Sequence, residues 1–241
     1  METADAIRRR RAVRKFDTSQ PLDSDRVRNC LQLAHLSPSS SNLQLYEMYH
    51  ITDPHVLHML GGACLSQGAA LTAREMVVFV VRSDLYRQRA RSIFDLSRRN
   101  LLKTSPQDKK EKRIEKLSFY YTKLIPLLYV RFGGVLGVLR RILVELVGLF
   151  RPIVREVTEG AISTVAHKSC AMAAQSFMLA MTGEGYDTCP MEGFDSKLVR
   201  RALGLSAGVD INMVVACGIG LPEGVWGDRV RLDFNQVYRQ L

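Results

Sequence analysis

Arg10-Arg11-Ala12-Val13-Arg14-Lys15-Phe16 puts four cations into seven residues near the start of a 241-residue chain. Alone, such a run is a solvated face or a nucleic-acid patch. What surrounds it changes the reading. Residues 3–10 suit a short helix with Thr3 at its cap, and Asp23 can cap a second helix. In that helix Val27, Cys30, Leu31 and Ala34 fall on one apolar stripe. It stops in Ser37-Pro38-Ser39-Ser40-Ser41-Asn42-Leu43-Gln44, whose short polar side chains compete for backbone hydrogen bonds.

Further out, Tyr46 to Ile51 reads as a strand, and about Pro54 to Leu60 as a helix. Met76-Val77-Val78-Phe79-Val80-Val81 is a continuous β-branched run, as expected of a strand buried on both faces. Residues 87–116 are charged and read as a helix pair interrupted near Pro106. Ala166 to Thr182 is a helix with a stripe of mostly small residues, ended by Gly185. Asp195 caps another helix ending at Gly204, Ile211 to Ala216 is a second buried strand, and Arg229 to Val237 reads as extended. There is no internal repeat, and the class is α+β or mixed α/β.

With 46% apolar and 24% charged residues, the composition excludes a disordered, collagen-like or disulfide-scaffold chain. The net charge is +10, which suggests an anionic partner without choosing among nucleic acid, lipid headgroup and phosphorylated cofactor. Cys30, Cys64, Cys170, Cys189 and Cys217 are widely spaced and odd in number, so they read as reduced thiols of a cytoplasmic protein. No apolar leader opens the sequence. Gly218, Gly220 and Gly224 are spaced G-x-G-x-x-x-G, with Pro222 and Trp226 where a phosphate-binding helix should begin. They read as a strand exit rather than a dinucleotide fingerprint. His55 and His58 lack further ligands, so no metal is expected, and no G-x-S-x-G surrounds Ser39 to Ser41.

Four segments in order carry more weight: Arg10–Phe16, Ser37–Gln44, Gly185-Tyr186-Asp187-Thr188-Cys189-Pro190-Met191-Glu192-Gly193-Phe194, and Arg229-Val230-Arg231. Together they resemble the nitroreductase family of FMN-dependent oxidoreductases, over about residues 5–83 and 160–241. The resemblance implies a single α+β domain over 1–241. Its central sheet would be mixed, mainly antiparallel and flanked by helices, with FMN at a homodimer interface. FMN carries a phosphate dianion, which guanidiniums bind in bidentate fashion. Arg10, Arg229 and Arg231 match the family's positions around the phosphate and ribityl chain, with Arg11 beside them. Ala12 stands where the family usually has Ser. Arg14 matches the position of a fixed cation near flavin N1/O2, where reduction places negative charge. Pro190, Met191, Glu192 and Gly193 would run along the ring edge, the backbone N–H groups of Glu192 and Gly193 bonding N5 and O4. Pro38, Ser39, Ser40 and Asn42 would come from the partner subunit, with Gln44 nearby. Ser66 and Gln67 are candidates for the pyrimidine edge.

The implied activity is ping-pong hydride transfer from NAD(P)H to a small acceptor such as a nitroaromatic or quinone. No acid–base residue is implied and no nucleic acid is expected. Leu45-Tyr46 replaces the family's Pro-Trp, which leaves open a specialised branch: a dehalogenase, a dehydrogenase or a flavin-fragmenting benzimidazole synthase. A non-catalytic protein binding flavin or an anionic surface is a further alternative. A helical insertion is expected over about 95–160. Within Leu124–Val157, a helix from Ile142 to Val157 would carry Leu143, Val147, Phe150, Val154 and Val157 on one face, with arginines at its edge. That face fits a dimer interface, a lid, or a peripheral contact with an anionic membrane.

Overall fold

The apolar run at 76–81 lies in strand β2 (Glu75–Val81), buried at every position in the computed structural model, which describes all 241 residues. In chain order the other elements are α1 (Thr3–Arg9), α2 (Ser24–His35), β1 (Tyr46–Ile51), α3 (Pro54–Ala63), α4 (Gly68–Thr72), α5 (Tyr86–Thr104), α6 (Gln107–Phe119), α7 (Ile125–Tyr129), α8 (Val135–Gly148), α9 (Glu159–Gly183), β3 (Asp187–Met191), α10 (Ser196–Ala202), β4 (Asp210–Gly218) and α11 (Phe234–Val237).

The four strands pair antiparallel in the order β1-β2-β4-β3. Alternation along β2 divides the core in two. Val77, Phe79 and Val81 face α2 and α9, while Met76, Val78 and Val80 face the layer holding Val13, Phe16, Leu60 and Val199. Pro190 sits inside β3, which is tolerable because β3 is an edge strand and needs no donor on its outer side. That outer side meets the basic segment: Ala12 bridges Thr188 in the sheet's one parallel contact, and the Val13 N–H donates to Thr188 O at 3.0 Å.

Three expectations need correction. Thr3 is the first helical residue of α1, not its cap; Glu2 holds the cap position without a side-chain bond. The tail is not extended throughout, because Asp233 caps the short helix α11. The helix expected over 142–157 ends at Gly148, because Pro152 supplies no N–H and the chain must turn back to begin α9.

Within the chain α8 buries Gly137, Arg140 and Val144. Arg140 Nη1 donates to Leu127 O at 2.7 Å and Val130 O at 3.0 Å, and its Nε donates to Val157 O at 3.1 Å. One guanidinium thereby satisfies carbonyls left over by α7 and the turn before α9. A Cβ on Gly137 would stand 2.9 Å from Glu159 N, so only glycine lets α8 approach α9 here. Of the expected apolar face, Val157 is buried and Val147 half-buried, while Leu143, Phe150 and Val154 are exposed.

Candidate functional site

The basic segment is held by buried Val13 and Phe16, which turn inward while Arg14 and Lys15 point out. The glycines at the end of β4 and just beyond it make room for the segment. A Cβ on Gly218 would stand 2.6 Å from the Phe16 ring, and one on Gly224 would stand 2.5 Å from Lys15 O. The Arg14 N–H donates to Gly224 O at 2.8 Å, and Asp187 Oδ2 accepts from the Gly220 N–H at 2.9 Å. These glycines therefore serve close backbone packing.

On the outward side lies a pocket of about 340 Å³ lined by Arg10, Arg11, Arg14, Arg229 and Arg231, with exposed Ala12, Trp226 and Asp228. Burial, then repulsion from Arg229, Arg231 and Arg11, pulls the Arg10 guanidinium below its ordinary pKa. Asp228, the one acid in the lining, pairs with none of the arginines. The pocket is short of negative charge.

The arginines differ in how they are engaged. Arg229 Nη2 donates to Arg8 O at 2.8 Å and Arg10 O at 2.5 Å, so it caps the carbonyl end of α1. Arg11 donates to Gly227 O at 2.8 Å. Arg231 bonds only the adjacent Val230 O, at 2.7 Å. The Arg14 guanidinium lies 4.4 Å from the centre of the Trp226 ring. From sequence Trp226 counted only against a phosphate-binding helix and Asp228 was passed over, although a lone Trp three residues before Arg229-Val230-Arg231 was a usable signal.

Gln67 and Gly193 are brought together: Gln67 Nε2 donates to Gly193 O at 2.7 Å. A Cβ on Gly68, next to Gln67, would stand 3.0 Å from Arg14 O, so this corner adjoins the basic segment. Beyond β3, the N–H groups of Glu192 and Gly193 have no acceptor within the chain, and both residues are exposed. Pro190 is half-buried. The Met191 side chain is buried in the core, so it offers no surface to a ligand.

No hydrogen bond links the 38–44 loop to the arginine pocket within one chain. The loop is fixed on α9 instead, where the Ser40 N–H donates to Ser169 Oγ at 3.1 Å and Ser37 Oγ donates to Ser176 Oγ at 2.7 Å. Pro38, Ser40 and Asn42 are exposed, Ser39 is half-buried, and Gln44 lines a separate pocket with Tyr46 and Arg89. Leu45 and Tyr46 are buried, so the departure there alters packing. Ser41, Asn42, Gln44, Leu65 and Ser66 are the chain's five non-glycine residues with positive φ, between +48° and +59°. All five fall in the two loops singled out from sequence. Each left-handed residue costs roughly 1–2 kcal/mol, a strain that concentrates at functional sites.

The strained loop has a clamp that the sequence did not reveal. Tyr121 Oη donates to Ser41 O at 2.9 Å, and the hydroxyls of Tyr120 and Ser41 lie 2.6 Å apart. Tyr121→Phe should raise hydrogen exchange across 38–44 about two- to tenfold, the equivalent of one bond of roughly 0.5–1.5 kcal/mol. Unchanged exchange, read by mass spectrometry, would remove the clamp.

A family model described as Nitroreductase family matches residues 7–220, the middle segment included. The chain belongs to the nitroreductase family. Among relatives of this nitroreductase-family chain, Protein DrgA of Synechocystis is 26% identical over 218 residues, covering 90% of this chain and 84% of that protein. Solved structures similar in fold include two that match nearly the whole chain. One is ydfN of Bacillus subtilis, provisionally named a nitroreductase, with TM-score 0.73, 19% identity and coverage of 99% and 98% of the two chains. The other is a provisionally named nitroreductase of Exiguobacterium sibiricum in complex with FMN, with TM-score 0.69, 17% identity and coverage of 100% and 98%.

No group of three or more His, Cys, Asp or Glu side chains is assembled for a metal, and His55 and His58 are both exposed on α3. All five cysteines are free and buried. Burial pushes the Cys30 and Cys64 thiols up to about 11 and Cys170 to about 12, which leaves them protonated and unreactive. No helix is long and apolar enough to cross a membrane.

Proposed function

We propose that this nitroreductase-family protein is an FMN-dependent NAD(P)H oxidoreductase acting as a homodimer on small oxidised acceptors. The observation that carries the reading is the arginine pocket, four of whose guanidiniums crowd one another with no acid paired to them. A phosphate dianion removes that repulsion, and Arg10, Arg11 and Arg231 have donors to give it. Arg229 supports the same end indirectly, by fixing α1 and hence Arg10. The open N–H groups of Glu192 and Gly193 supply donors for the carbonyl and nitrogen edge of a flavin ring, and Gln67 holds that backbone in place. Bound there, FMN would supply two-electron hydride chemistry, so the chain needs no acid–base pair of its own.

The partner subunit would contribute the Pro38–Asn42 loop, whose strain and anchoring on α9 keep it rigid. Val230, Leu232, Phe234 and Val237 at the C-terminal end are exposed, as suits an arm that lies on a second copy. Arg14 is assigned to the pyrimidine edge. Arg14→Ala should lower the two-electron potential by about 20–65 mV, the equivalent of roughly 1–3 kcal/mol of lost charge stabilisation. A potential that does not move in spectroelectrochemical titration would shift this role elsewhere.

Initial-rate kinetics with NADH or NADPH against a quinone or nitroaromatic test the function. Parallel double-reciprocal lines are expected, because donor and acceptor use one site in turn. Intersecting lines, or no turnover with either donor, would contradict it.

A further inference from the structure

Between the basic helices α5 and α6 and the start of α9, the chain leaves an apolar helix face uncovered. On α8, Val135, Val138, Leu139, Ile142, Leu143 and Leu146 are each more than half exposed, and the patch continues through Leu149 and Phe150. At about 100° per residue the six helical positions span an arc of roughly 140°, a full amphipathic face. It points outward because the opposite face is committed: Gly137 is pressed on Glu159, and Arg140 holds three carbonyls. A monomer rarely leaves such a stripe to water.

Charge identifies what covers it. Residues 86–157 hold 17 Lys and Arg against 6 Asp and Glu, a net +11, while the rest of the chain holds 17 against 18, a net −1. The whole net positive charge of the chain thus resides in the segment that carries the bare face. Arg131 and Arg151, just beyond the two ends of α8, are exposed and make no ion pair. Arg141, at the edge of the face, is paired with Glu145. Burying α8 against a second copy would bring two +11 segments together, at a Coulombic cost. An anionic bilayer surface meets both needs, taking the apolar arc into the headgroup boundary and the cations into its potential. We propose that α8 and its basic surroundings dock this protein on anionic lipid, the helix lying in the plane of the interface. This goes beyond the proposed redox site and does not depend on it.

The test is co-sedimentation of the purified full-length protein with vesicles of phosphatidylglycerol and phosphatidylcholine, against vesicles of phosphatidylcholine alone. The wild type should pellet with the anionic vesicles and not with the neutral ones. Ile142→Glu with Leu146→Glu should weaken partitioning at least about tenfold. Arg131→Ala and Arg151→Ala should each weaken it about fivefold. Sedimentation equilibrium should give one mass for all variants. Wild type left in the supernatant at low salt, or bound equally to both vesicle types, would overturn the proposal, and neither result needs a variant that folds. A Glu variant that changes the oligomeric mass while leaving lipid partitioning unaltered would assign the face to a second copy instead.

Discussion

Phe16→Ala should cost about 3–5 kcal/mol of stability, the largest single-residue loss expected from the basic segment. The ring is 1% exposed and packs on Gly218, where no side chain is tolerated. The hole cannot close easily, since β4 on one side and the Thr72 hydroxyl that accepts the Phe16 N–H at 3.0 Å on the other fix the backbone. For a domain of this size the loss corresponds to a fall in melting temperature of about 6–20 °C. Because Phe16 anchors the strip from which Arg10, Arg11 and Arg14 project, FMN affinity should fall with stability. A melting temperature within a degree or two of wild type by calorimetry would mean that Phe16 is not the anchor.

The arginines themselves should separate binding from folding. Arg231→Ala and Arg10→Ala should each weaken FMN binding about ten- to a hundredfold, since a charge-assisted bond to phosphate contributes on the order of 1.5–3 kcal/mol. In the absence of FMN, however, Arg231→Ala should melt no lower than wild type, because it removes a charge that repels Arg10. Arg229→Ala should differ, losing stability as well as affinity, because its guanidinium caps α1. Titration calorimetry with FMN, paired with thermal melts of the apo variants, reads both quantities. Equal affinity in all three variants would place the phosphate elsewhere.

Much of this was legible from residue patterns that report local physics. The continuous run at 76–81 announced a strand buried on both faces, and Asp23 and Asp195 announced helix starts that they do cap. The four ordered segments were enough to indicate the family. Within the site, arginines from two of those segments line one pocket, and Gln67, a candidate outside the four segments, reaches Gly193. Contacts that depend on tertiary position were not legible. Nothing in the spacing of Tyr120 and Tyr121 points to Ser41, 79 and 80 residues away. The helix expected over 142–157 was misjudged in extent, because apolar periodicity runs on past Gly148, where Pro152 ends α8. The burial of Arg140 was not legible either, since the three carbonyls it satisfies come together only once the chain has folded back.

The central claim is that the arginine pocket and the open N–H groups beyond β3 hold FMN. The absorption spectrum of the purified protein during titration with FMN tests it most directly. Saturable binding of one FMN per chain is predicted, with the flavin band at about 450 nm perturbed and resolved on uptake. Protein that remains colourless after gel filtration from excess FMN, with no spectral change during titration, would contradict it.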